Sequence, residues 1–131
     1  LNLPTDFKYF LIDPYLIGVY HLNEKNIPFI ILKTKSFEHT FASLLDNELA
    51  IAETISKLFS PQNYASSTTQ GVFIDKIINN IDTRILYDSL GQSILFYAFL
   101  NQNTLLIGQA EEVITPIINR LQTNQQNTAR D

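Results

Sequence analysis

The spacing of apolar residues changes along the chain, and each change predicts an element. Thr5 and Asp6 precede Phe7, Phe10 and Leu11 at i, i+3, i+4 spacing, and Pro14 stops any continuation, which predicts a short helix over residues 6–12. Tyr15 to Leu22 and Pro28 to Lys35 are rich in β-branched and aromatic residues and flank the polar run Asn23-Glu24-Lys25-Asn26, the pattern of a hairpin. Phe29-Ile30-Ile31-Leu32 is apolar on both faces, as in a strand near the middle of a sheet with cover on each side. Ser36 reads as an N-cap, and Phe37, Phe41, Leu44, Leu45, Ala52, Ile55 and Phe59 follow at helical spacing. One long amphipathic helix over 37–59 is predicted, with Glu38, Asp46, Glu48 and Glu53 on its solvated face and Pro61 ending it.

Gln62 to Gly71 is polar, small and uncharged, the composition of a mobile surface loop. The pairs Phe73-Ile74 and Ile77-Ile78 fit either a helical turn or a bent strand, so residues 72–78 stay open. From Ile81 the alternation is cleaner: Ile81, Thr83, Ile85 and Tyr87 fall on one face, Asp82, Arg84 and Asp88 on the other. Turns at Leu90-Gly91 and Asn101-Gln102-Asn103 make a three-strand meander with Ile94 to Phe99 and Leu105 to Gly108. Val113, Ile114, Ile117, Ile118 and Leu121 then form a helical stripe. Pro116 either kinks that helix or, capped by Thr115, begins it. The expected fold is α+β, an antiparallel sheet with covering helices in the order (α)ββαβββα, as one domain over 1–122 with a polar tail over 123–131. Phe29, Ile31, Phe41, Leu45, Ile85, Phe96, Leu106 and Ile117 are expected in or near one core. Longin, roadblock and profilin-like domains have a similar order, an analogy of fold that carries no function.

Composition narrows the chemistry. At 131 residues the chain is one domain's length and can bury roughly two thirds of its unfolded surface. A net charge of −4 offers no broad positive field for a phosphate backbone, so nucleic acid is not an expected partner. With no Cys, disulfides, thiolate metal sites and cysteine nucleophiles are excluded. His21 and His39 stand apart without ligand spacing, and Ser66-Ser67-Thr68-Thr69 lacks an activating motif, so neither a metal nor a catalytic role is expected. Four glycines make no phosphate cradle, and no cofactor is expected. Asp75, Asp82 and Asp88 could share a sheet edge, but no concave site is evident to pair them. Asp82 and Arg84 are the sharpest candidates for an interaction site: two apart on a strand, they face one way, as an ion pair or with Arg84 recognising a polar partner. Tyr97 and Phe99 read as core. No apolar run reaches the length of a spanning helix.

A resemblance adds a setting. Gly18, Pro28-Phe29, Lys33 and Ser36-Phe37 before Phe41-Ala42 carry it in the first half, and the series Phe73, Asp75, Asn79, Asp82, Arg84 in the second. Gly91, Tyr97-Ala98-Phe99, Asn103-Thr104-Leu105 and Ile107 complete it. On these, residues 15–59 and 73–121 resemble a family of uncharacterised proteins from uncultivated small-genome bacteria of the candidate phyla. The resemblance implies a single-pass membrane protein with a polar cytoplasmic N-terminal region and this domain on the extracytoplasmic side. A start at Leu1 without Met fits a trimmed piece whose anchor lies before it. Two stretches depart from the family pattern: Leu45-Asp46 to Ala50, and Ala110-Glu111-Glu112 with Pro116. A partner surface on those helices is therefore not carried over. The resemblance implies no reaction, cofactor or catalytic residue. The expected function is non-catalytic, protein association or envelope assembly, with self-association or a protein partner; a small-ligand sensory domain is the alternative, ahead of an enzyme.

Overall fold

The computed structural model describes residues 11–59 and 71–121, an α+β arrangement around one six-stranded antiparallel sheet. Strands β1 (Leu11–Leu22) and β2 (Lys25–Thr34) form the expected hairpin. Its turn is tighter than the four-residue polar run suggests: only Asn23 and Glu24 turn, both at positive φ, the mirror-image geometry that suits the twist of a hairpin. Residues 11 and 12, expected in a helix, are strand, and Pro14 is tolerated because β1 is an edge. The rest of that expected helix, the loop over 62–70 and the whole of the tail over 123–131 lie outside the described residues.

Helix α1 (Phe37–Asp46) is capped by Ser36, whose Oγ accepts from the His39 amide. The single helix expected over 37–59 is in fact two. Asn47 leaves helical geometry at φ −125°, its side-chain amide donates to the Ser43 carbonyl at 2.8 Å, and α2 (Glu48–Phe59) begins after it. An asparagine that can bond its own backbone competes with continuation of a helix, which periodicity cannot register.

The segment left open is a strand, β3 (Val72–Ile78), turning through Asn79 and Asn80 into β4 (Ile81–Tyr87). Strands β5 (Ser93–Asn101) and β6 (Thr104–Gly108) follow, so the meander has four strands rather than three. The sheet order is β1-β2-β6-β5-β4-β3, and β2 sits inside it as its two-sided apolar run requires. Pro28 faces β6, but the β2–β6 register starts at Phe29 opposite Gly108, so no ladder bond is lost to its missing N–H. A 3₁₀ turn, Glu111–Val113, leads into helix α3 over residues 114–121. Pro116 thus sits in the first turn of α3, where backbone N–H groups have no helical partner, and the helix starts two residues before it rather than at it.

Each face of the sheet has its own core. Ile30, Leu32, Leu86, Leu95, Tyr97, Leu105 and Ile107 pack under Leu44, Ile51 and Ile55 of α1 and α2. Ile31, Ile85, Phe96 and Leu106 pack under Val113, Ile114, Ile117 and Ile118 on the opposite face. The single core expected from sequence is therefore corrected to two, with Phe41 beside the first and Phe29 beside the second. Leu45, placed in the core by periodicity, is exposed because α1 buries Thr40, Ser43 and Leu44 instead.

Candidate functional site: a polar cluster where α2 meets the sheet

Four polar side chains converge at the start of α2. The cross-strand register sets Asp75 on β3 opposite Arg84 on β4, and Arg84 opposite Tyr97 on β5, all on the face covered by α1 and α2. The break at Asn47 aims Glu48 down at them. Arg84 donates from Nε to Glu48 Oε1 at 2.7 Å and from Nη2 to Glu48 Oε2 at 2.8 Å, a bidentate pair. Its Nη1 donates to Asp75 Oδ1 at 3.1 Å, and the Tyr97 hydroxyl donates to Glu48 Oε1 at 2.6 Å. The guanidinium lies 5.7 Å from the centre of the Phe73 ring.

Electrostatics follow from this enclosure. The Arg84 and Glu48 side chains keep 20% and 13% of their exposure, so screening by water is weak. Hydrogen bonding to Glu48 outweighs burial and raises the Arg84 pKa, while burial, reinforced by Glu48, pushes the Tyr97 phenol well above its ordinary value. Nε, Nη1 and Nη2 of Arg84 and the Tyr97 hydroxyl thus each bond an acceptor within the cluster. It is a latch that locks helix to sheet, with the Asp75 side chain at its open rim.

The opposite face repeats the device. Glu111 Oε2 accepts from Lys76 at 3.1 Å and Glu111 Oε1 from the Tyr87 hydroxyl at 3.0 Å, while the Glu111 amide donates to Ser93 Oγ at 3.0 Å. Burial and then Glu111 raise the Tyr87 pKa, and the hydrogen bond to Glu111 raises that of Lys76.

The candidate pair is split. Arg84 turns to Glu48 and Asp75, whereas Asp82 is exposed opposite Ile77, and its side chain makes no hydrogen bond or ion pair to another described residue. The three aspartates do not gather: Asp75 serves Arg84, and Asp88 Oδ1 closes the β4–β5 turn by accepting from the amides of Leu90 and Gln92. Tyr97 is core, as expected, with its hydroxyl satisfied. Glu48 was missed because its place on the helix wheel suits a solvated face. A lone Arg84 on a half-buried strand was the signal that some distant carboxylate must reach it. His21 bonds Asn26 and His39 bonds Ser36, and among the described residues no three metal-ligating side chains come together. An open groove of about 250 Å³ is lined by Lys35, Ser36, Phe37, Glu38, Gln102 and Asn103. Among the described residues no helix is long and apolar enough to cross a membrane. The chain matches no protein-family model and no curated protein.

Proposed function

We propose that this chain is a non-catalytic association domain of a membrane-anchored protein, displayed on the extracytoplasmic face and acting in envelope assembly. The observation that carries the association reading is that both outer strands of the sheet hold apolar side chains half or more exposed: Leu16, Ile17 and Val19 on β1, and Val72, Ile74 and Ile77 on β3. Edge strands offer unpaired backbone groups, and apolar side chains flanking them favour a partner over water. The internal satisfaction of the latch supports the same reading, since its charged groups are spent on holding the fold. Anchoring and an extracytoplasmic setting rest on the family resemblance, as does the analogy to longin, roadblock and profilin-like domains on the similar order of elements.

The test is to express the parent protein with an epitope in this domain, fractionate the cells and treat them intact with protease. Membrane partitioning with loss of the epitope to external protease supports the setting, and recovery of the whole protein from the cytosol overturns it. A small-ligand sensor is the competing reading. A compound that raises the melting temperature saturably, with contacts lining the groove at Lys35 and Gln102, would replace association by sensing.

A further inference from the structure

The two sheet edges differ in their chemistry. In each hairpin the two-residue turn makes the flanking residues a hydrogen-bonded pair, Leu22 with Lys25 and Ile78 with Ile81, which fixes the residues whose backbone faces outward. On β3 these are Phe73, Asp75 and Ile77; on β1, within the regular register, Ile17, Val19 and His21. A second copy paired on β3 about its centre would set Asp75 against Asp75, and a shift of register would bury Asp75 or Lys76 against apolar neighbours. Such charges guard an edge. From Leu16 to Leu22 the β1 edge holds no Asp, Glu, Lys or Arg, so it has no such guard.

We propose that β1 is a self-association surface: two copies pair their β1 strands antiparallel about a two-fold axis at Val19, joining two six-stranded sheets into one. This rests on the association reading and names its partner as a second copy of the chain. The register centred on Val19 matches Leu16–Leu22 against itself, and every outward N–H and C=O of Ile17, Val19 and His21 finds a counterpart. On the face of α1 and α2, Val19 meets Val19 of the second copy and Ile17 meets its His21. On the other face, Leu16 meets Leu22, and Tyr20 meets Gly18, over which the Phe29 ring of the same chain already lies, so that Tyr20 packs against that ring. Leu16, Ile17 and Val19, 56%, 51% and 61% exposed in one copy, leave water in the pair. Although each chain carries −4, no like charges face each other along Leu16–Leu22. The irregularity between Ile12 and Leu16 ends the pairing on one side, and the turn at Asn23-Glu24 ends it on the other.

The test is sedimentation equilibrium of the whole chain across a concentration series, alongside Val19→Lys and Ile77→Lys. Both changes fall on exposed side chains, 61% for Val19 and 70% for Ile77, and should leave the circular dichroism spectrum unchanged. The expected result is a dimer for the parent chain and for Ile77→Lys, weakened by about tenfold or more in Val19→Lys, where two lysines oppose each other. Because the chain has no cysteine, Val19→Cys adds a readout of register: hydrogen-bonded partners sit about 5.5 Å apart at Cα, within reach of a disulfide, so mild oxidation should cross-link Val19→Cys into a covalent dimer and leave Ile77→Cys without a cross-link. A chain that is monomeric at every concentration overturns the proposal, while capture of a different protein through either edge would still uphold association. A dimer that survives Val19→Lys but fails with Ile77→Lys also overturns it, and places self-association on β3.

Discussion

Glu48 and Arg84, 36 residues apart in sequence, meet through two parallel hydrogen bonds of 2.7 and 2.8 Å in the layer between α2 and the sheet. The pair joins a helix that begins only because Asn47 interrupts its predecessor to a strand from the second hairpin, and the Tyr97 hydroxyl completes it. Removing one partner leaves the other largely enclosed. Glu48→Ala and Arg84→Ala should each cost about 2 to 4 kcal/mol, with a coupling energy above about 1 kcal/mol in the double-mutant cycle. Asp75→Asn should cost under about 1 kcal/mol, because the Asp75 side chain is 83% exposed. Urea titrations of the four variants check this, and a Glu48→Ala loss no larger than that of Asp75→Asn would show that the latch contributes nothing beyond a surface pair.

Phe96 and Gly108 are register partners on β5 and β6, and the ring lies where a side chain on the glycine would stand. A Cβ there would come within 2.5 Å of Phe96 Cε1 and Cζ. Gly108→Ala should therefore destabilise by about 1 to 3 kcal/mol through overpacking. Phe96→Ala, which empties the centre of the α3-side core, should cost about 3 to 5 kcal/mol. Combining Gly108→Ala with Phe96→Leu should recover part of the first loss, and strictly additive melting data would contradict this contact.

Alkaline pH should unfold the protein through its tyrosines. Burial, with the Glu48 hydrogen bond behind it, raises the Tyr97 pKa, and burial with Glu111 raises that of Tyr87. Unfolded tyrosines ionise near pH 10. Below that pH both states are neutral and the full contribution is present. Above about pH 10 the unfolded chain loses protons first, so stability falls toward the raised folded values, by up to about 1.4 kcal/mol per pH unit for each such tyrosine. Urea midpoints at pH 9 and 11 should show this decline, shallower in Tyr97→Phe; equal slopes would remove Tyr97 as its source.

Glu24 holds φ 64° at the second turn position of the β1–β2 hairpin, a conformation that side-chain-bearing residues resist. Glu24→Gly should stabilise by about 0.5 to 1 kcal/mol, since glycine adopts that geometry without a Cβ clash. A lower melting temperature would mean that the carboxylate makes a compensating interaction.

The whole chain should bind neither duplex nor single-stranded DNA and should fold without metal. A net charge of −4 and the absence of cysteine leave no cationic field and no thiolate site. Low salt is the stringent condition, because it exaggerates electrostatic affinity. Micromolar DNA binding there, or a melting temperature lowered by a chelator, would reverse this expectation.

What the sequence determined by itself was local in origin. Alternation from Ile81 to Tyr87, the two-sided apolar run Phe29 to Leu32 and the Ser36 cap are written in neighbouring residues, so both hairpin strands, the start of α1 and the central place of β2 could be read without coordinates. Residues 72–78 stayed open because Phe73-Ile74 and Ile77-Ile78 satisfy both periods, and pairing with β4 decided for strand. The break at Asn47 was hidden because apolar spacing runs through it unbroken; its side-chain bond to Ser43 is a choice among local geometries that only packing resolves. The division into two cores followed from helices docking on opposite faces, a matter of chain path that no period encodes. The latch depended on tertiary structure most of all. Glu48 looks like a solvated acid and Asp82 like the natural partner of Arg84, and only the helix break and the register of β3 to β5 bring the guanidinium to Glu48 instead. A bidentate bond to an enclosed carboxylate outweighs an exposed neighbour two residues away, because water screens the exposed neighbour and not the enclosed one.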